Sequence, residues 1–168
     1  MSLTKYRFYD AKTMTKEEQI RLFYKYLHDQ FSPMGIPISG DLFGMTTSVD
    51  NDLGIGQLLE NALENFDYVA PMVYPSHYPT GFNGYKNPAA VPYEIIKFGM
   101  GRGVERAVAA STTPLKLRPW LQDFNMGATY TADLIRAEKK AVYDVGLTSW
   151  MMWDPANTYT AAALNPKK

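Results

Sequence analysis

Phe66 to Tyr78 reads FDYVAPMVYPSHY, and the reading of this stretch decides the fold. Tyr68 to Tyr74 is a short apolar run bounded by turn-forming residues, the pattern of a strand buried on both faces. Tyr74, Ser76, His77 and Tyr78 then follow as four polar-tipped side chains beside Pro75 and Pro79. A stiff, aromatic, hydroxyl-rich loop at the carboxyl end of a buried strand is where an α/β protein places a ligand.

Working outward, the same unit repeats. Upstream, Thr15-Lys16-Glu17-Glu18 is a capping box. It opens a helix whose apolar positions Ile20, Phe23, Tyr24, Leu27 and Phe31 recur at helical spacing and are expected to be buried. Ser32 to Gly35 stops that helix, and Ile36 to Gly44 is a strand with Asp41 near its carboxyl end. A helix is expected over 54–65. Downstream of the focal strand a long loop reaches Pro88, and Tyr93 to Ala110 is a helical pattern containing Gly99, Gly101 and Gly103. Those glycines lie inside a helix rather than between a strand and a helix, so they read as a kink and not as a nucleotide-binding turn. Leu115 to Phe124 is a further strand, Thr131 opens a further helix that closes at Gly146, and Leu147 to Trp153 is the last strand. The weak run Tyr6 to Tyr9 is the end of a first strand. Met1 to Leu3 reads as an added start, and Ala161 to Lys168 as a flexible tail to one single domain.

Strand and helix alternate with nearly continuous apolar strands, which implies an α/β protein with a parallel sheet. An open nucleotide-binding sheet would carry a glycine-rich first turn, and there is none. Polar residues at the ends of several strands instead match part of a (β/α)8 TIM-type barrel. The chain has 168 residues, against about 250 for a typical whole barrel.

Composition removes other classes. The formal net charge is zero, which argues against nucleic acid as partner. The chain has no cysteine, which excludes disulfide frameworks, zinc ribbons and thiol chemistry. No apolar run approaches the ~20 residues of a membrane span. No cofactor motif is present, and no second His or Cys stands at metal-ligand spacing from His77.

Several segments resemble one family: SGDLFGMTT (39–47), DLGIGQLLE (52–60), DYVAPMVYPSHYPTGF (67–82), LRPWLQDF (117–124) and SWMMWDPANTY (149–159). They are similar to the bacterial glycoside-hydrolase-like domain DUF4015 from about Tyr6 to Tyr159. The resemblance implies a (β/α)8 barrel acting on a bacterial envelope or other polysaccharide, in a full-length parent outside the cytoplasm. It aligns this chain with the family's second half: the end of barrel strand 4, then strands 5 to 8, with Thr4 where the family has an acidic residue.

In a barrel every second strand residue points inward. Asp41 with Ser39 and Phe43, Tyr74 with Met72 and Ala70, Gln122 with Trp120 and Arg118, and Trp153 with Met151 each form one face. Glycoside hydrolysis ordinarily needs two carboxylates. Asp41 and Asp123 are the catalytic candidates, with Asp154 a further available carboxylate. Tyr74, His77, Gln122, Trp153 and Asp154 are the candidate substrate-binding residues. The alternative is a non-catalytic carbohydrate-binding remnant or assembly module, since the family's strand-4 acid is replaced. Open sheet edges and bared inward residues further predict a homo-oligomer.

Overall fold

The structure, a computed structural model, describes residues 13–164. The run Tyr6 to Tyr9 and the position of Thr4 lie outside the described residues. Four parallel strands form one sheet in the order β1-β2-β3-β4: Ser39–Phe43, Tyr68–Met72, Trp120–Gln122 and Met151–Trp153. Helices α1 (Lys16–Phe31), α2 (Leu59–Asn65), α3 (Pro92–Ala109) and α4 (Ala132–Asp144) alternate with them, and α5 (Ala161–Leu164) follows β4. Consecutive parallel strands joined by helices, in sequence order across one sheet, are the architecture of a partial (β/α)8 barrel.

The signals that start the helices act as read. The Thr15 side chain accepts from Glu18 N at 3.1 Å while Glu18 Oε2 accepts from Thr15 N at 2.7 Å, so two otherwise orphaned N–H groups are satisfied. Thr131 caps α4 by accepting from Leu134 N, and Gly146 closes it in the left-handed region at φ 87°.

Register fixes which residues share a face. Phe43 pairs with Met72, Met72 with Trp120, and Trp120 with Met151; Gln122 pairs with Trp153. One face of the sheet therefore carries Asp41, Phe43, Met72, Trp120, Gln122 and Trp153, the alternation expected of inward barrel positions. The other face carries Leu42, Val69 and Leu121, all fully buried beneath the helices, with Leu59, Ile96, Met100 and Val142 in the same core. Phe66 fills the space where a Cβ at Gly40 would lie, which lets β1 sit directly on this core.

Five expectations are corrected. In α1, Tyr24 is buried and Ile20 and Leu27 pack against the core, but Phe23 is exposed, because α1 packs chiefly against α2 and turns that side chain away from it. The helix expected over 54–65 begins at Leu59; Asp52 instead holds Gly54 N and Gly56 N in a turn, both at 3.0 Å. The strands are shorter than their apolar runs; before β3, Pro119 has no ladder donor, and Leu117 upstream of it keeps only an isolated bridge to Val69. Helix α3 runs unbroken through its glycines. Gly99 and Gly103 sit one turn apart where α3 meets Thr47, and Gly103 also faces Leu117, so they permit close packing rather than a kink. Ala161 to Leu164 is not a loose tail: it is helical, and Ala163 is buried against α4.

Candidate functional site

The carboxyl ends of the four strands gather most of the chemistry. Asp41 is exposed on the inward face, and its Oδ1 accepts from Trp120 Nε1 at 3.0 Å. Its Oδ2 has no hydrogen-bond partner among the described residues. Trp120 in turn meets Trp153 edge to face, with ring centroids 6.1 Å apart. Trp153 is 42% exposed. A carboxylate with one free oxygen thus lies against one indole, which in turn meets a second, exposed one across the sheet, a combination suited to holding a polar ring with one apolar face.

Tyr74 closes the β2 side of this patch. Burial pushes its hydroxyl up to about 12, with the negative charge of Asp41 and then Tyr159 adding to the effect. It stays a neutral donor at any physiological pH. Its ring packs on His77 at 5.3 Å and on Phe124 at 5.6 Å. His77 is exposed, and its Nδ1 lies 3.1 Å from Ser76 Oγ.

Gln122 is on the expected face but is fully buried. Its Oε1 accepts from Ser76 Oγ at 2.8 Å and Ser76 N at 3.2 Å, and its Nε2 donates to Phe124 O at 2.9 Å. It ties the β2 loop to the β3 end and, being fully buried, presents no group to a ligand. Asp123 is 4% exposed. Its two oxygens accept from Thr160 N and Thr160 Oγ1, each at 2.7 Å, so it fastens the start of α5 to β3. Asp154 Oδ1 accepts from Ala156 N at 2.6 Å, within the turn that also joins Asn157 N to its carbonyl at 3.0 Å. The inward face thus groups Asp41, Trp120 and Trp153, with Tyr74 beside Asp41, whereas Asp123 and Asp154 serve local structure.

Two supporting groups had no assigned role in the sequence. Glu138 falls on the apolar face of α4 and is fully buried. Its Oε2 accepts from Gln122 N at 3.0 Å and its Oε1 from Tyr130 OH at 3.3 Å. Burial first, and the nearby Asp123 charge to a lesser degree, pushes its carboxyl well above the ordinary carboxylate range. A Glu amid Ile135, Ala141 and Val142 was the available signal. Arg106 is the second. It forms a forked pair with Glu60, at 2.7 and 2.5 Å, and its third nitrogen donates to Thr46 O at 2.6 Å and to Val49 O. It clamps the loop after β1 from α3. Among the described residues no group of three or more acidic or histidine side chains could hold a metal ion, and no helix is long and apolar enough to cross a membrane.

A family model described as "Putative glycosyl hydrolase domain", DUF4015, matches residues 2–159. The chain belongs to the DUF4015 family. The fold of this DUF4015 chain is similar to that of the PgaB (BpsB) glycoside hydrolase domain from Bordetella bronchiseptica, with a TM-score of 0.53 at 16% identity. The match covers 86% of this chain and 40% of that one, so the DUF4015 chain spans well under half of the neighbour's length. None of the curated proteins matches it significantly.

Proposed function

We propose that this domain binds a polysaccharide along the inward face of its sheet and forms one side of a glycoside hydrolase site, with Asp41 as the carboxylate that meets the substrate. The observation that carries this reading is Asp41 itself. It sits on the inward face at the middle of β1, with one oxygen fixed by Trp120, whose ring meets the exposed ring of Trp153, and the other oxygen without a partner among the described residues. Trp153 supplies the stacking surface, Tyr74 a neutral hydroxyl donor and His77 a rim contact. Membership of a glycosyl hydrolase family, and a fold like that of the PgaB domain, support the class of ligand.

A non-catalytic role is the second reading, favoured by one specific finding. Both other candidate carboxylates are engaged in structural hydrogen bonds, Asp123 with Thr160 and Asp154 with Ala156, whereas hydrolysis ordinarily uses two carboxylates about 5–9.5 Å apart. On either reading the bared inward face, and the edges of β1 and β4 that pair with no further strand among the described residues, favour association with a second copy, which light scattering on the eluting protein tests.

Calorimetric titration with cello- and chito-oligosaccharides, combined with a reducing-end assay, separates the readings. Binding with little turnover is the expected result for this chain. Robust turnover abolished by Asp41→Asn would show that a second carboxylate of this chain completes the pair. No binding to any oligosaccharide tested would overturn the carbohydrate reading.

A further inference from the structure

The hydrogen bonds around Ser76 determine where His77 carries its proton. Ser76 N is a backbone donor and Phe124 O a backbone acceptor, and they contact opposite ends of the Gln122 amide. The amide therefore has one allowed orientation, with Oε1 toward Ser76 and Nε2 toward Phe124. Because Oε1 can only accept, the Ser76 hydroxyl must direct its single hydrogen to it, at 2.8 Å. Ser76 Oγ can then only accept from His77 Nδ1, 3.1 Å away. Neutral His77 is thereby held as the Nδ1–H tautomer, and its Nε2 keeps a lone pair with no partner among the described residues. Free imidazole side chains have no such constraint. The ring itself is held between Tyr74 and Phe124, at centroid distances of 5.3 and 6.0 Å.

We propose that His77 Nε2 is a built hydrogen-bond acceptor at the rim of the site, which selects a sugar hydroxyl, and that Ser76 and Gln122 are the positioning residues that set its tautomer. The proposal rests on the carbohydrate reading above and deepens it: Tyr74 donates to the ligand, His77 accepts from it, and the pair reads the donor and acceptor pattern of a sugar ring. Asp41 faces the same patch from β1 and Tyr159 from the loop after β4, while Gln122 and Phe124 approach from β3 and its loop.

Long-range proton–nitrogen NMR spectra of the imidazole rings test this directly. The chain has two histidines, and the other is an internal reference: His28 Nδ1 lies 3.0 Å from Asn65 O, a carbonyl that can only accept. Neutral His77 is expected to show the Nδ1–H pattern, to lose it in Ser76→Ala, and to keep it in Ser76→Thr. Addition of a bound cello- or chito-oligosaccharide is expected to shift Nε2, with binding about tenfold weaker in Ser76→Ala. An Nε2–H pattern in the unmodified protein overturns the proposal whatever binds. Binding that leaves Nε2 unmoved overturns the acceptor role alone and leaves the carbohydrate reading standing. Failure of any oligosaccharide to bind overturns both, with the tautomer result still separating the two causes.

Discussion

The two faces of the sheet are built by the same four strands and differ in nearly every physical respect. The helix-covered face is aliphatic and dry: Leu42, Val69 and Leu121 are fully buried. The inward face carries a carboxylate, two indoles and a phenyl ring, with Phe43 58% and Trp153 42% exposed. A strand alternates its side chains, so each short strand serves both purposes at once. Stability resides on the covered face, where burial is complete. Recognition is proposed for the open face, where side chains such as Phe43 and Trp153 stay exposed. Substitutions on the two faces should therefore behave differently.

The largest effect is expected on the covered face. Leu121→Ala removes a fully buried side chain and should cost about 2–5 kcal/mol, measured by urea unfolding. A cost near zero would mean the helices do not hold this face as closely as the structure shows. Next comes the clamp between α3 and the loop after β1. Arg106→Ala leaves Thr46 O without its donor and Glu60 without its partner. Glu60 is partly exposed, so the cost should be lower, about 1–3 kcal/mol. Burial opposes ionisation of Glu60, but the hydrogen bonds and charge of Arg106 outweigh it and hold the carboxyl below its ordinary value. That contribution is present above the unfolded pKa and is lost as the pH falls through the folded one.

Much of this contrast was legible in the sequence, because it depends on periodicity. Alternation placed Asp41, Tyr74, Trp120 and Trp153 on one face, and the capping box and Gly146 marked helix ends. What was not legible depends on contacts distant in sequence. Asp123 looks like Asp41 in sequence, each lying at a strand end. Only the fold shows that Thr160, from the loop after β4, occupies both oxygens of Asp123. Gln122 lies at the rim in sequence but is sealed by Ser76 from the β2 loop. The glycines of α3 looked like helix breakers because their reason, the approach of Thr47 and Leu117, comes from other elements.

Glu138 sharpens the comparison, as a charge-capable group on the buried side. Its folded pKa is raised, so the unfolded chain releases the proton first as the pH rises. Stability is then full below the ordinary glutamate value of about 4.3 and declines as the pH climbs toward the folded pKa. Asp123 and Tyr130 are the titratable groups facing it. Glu138→Gln keeps the shape and can still accept from Gln122 N. The stability difference between wild type and Glu138→Gln should move steadily in favour of the variant from about pH 4.5 upward, in unfolding curves taken at several pH values. A difference independent of pH would show that Glu138 ionises normally.

The smallest stability effect is expected from Trp153→Ala on the open face. Trp153 is the largest side chain of β4, and on a covered face its loss would cost about 3–5 kcal/mol. Here much of the ring already meets solvent, and its edge contact is with Trp120, which keeps its bond to Asp41. The cost should stay within about 1 kcal/mol. The same substitution removes the exposed stacking surface beside Trp120, so oligosaccharide affinity should fall about tenfold, the equivalent of about 1.4 kcal/mol. The two measurements together discriminate. A small stability cost with lost binding is what an open recognition face requires. A large cost that depends on protein concentration would mean that Trp153 is buried against a second copy, so that the contrast between the faces holds for the isolated chain but not for its assembled form.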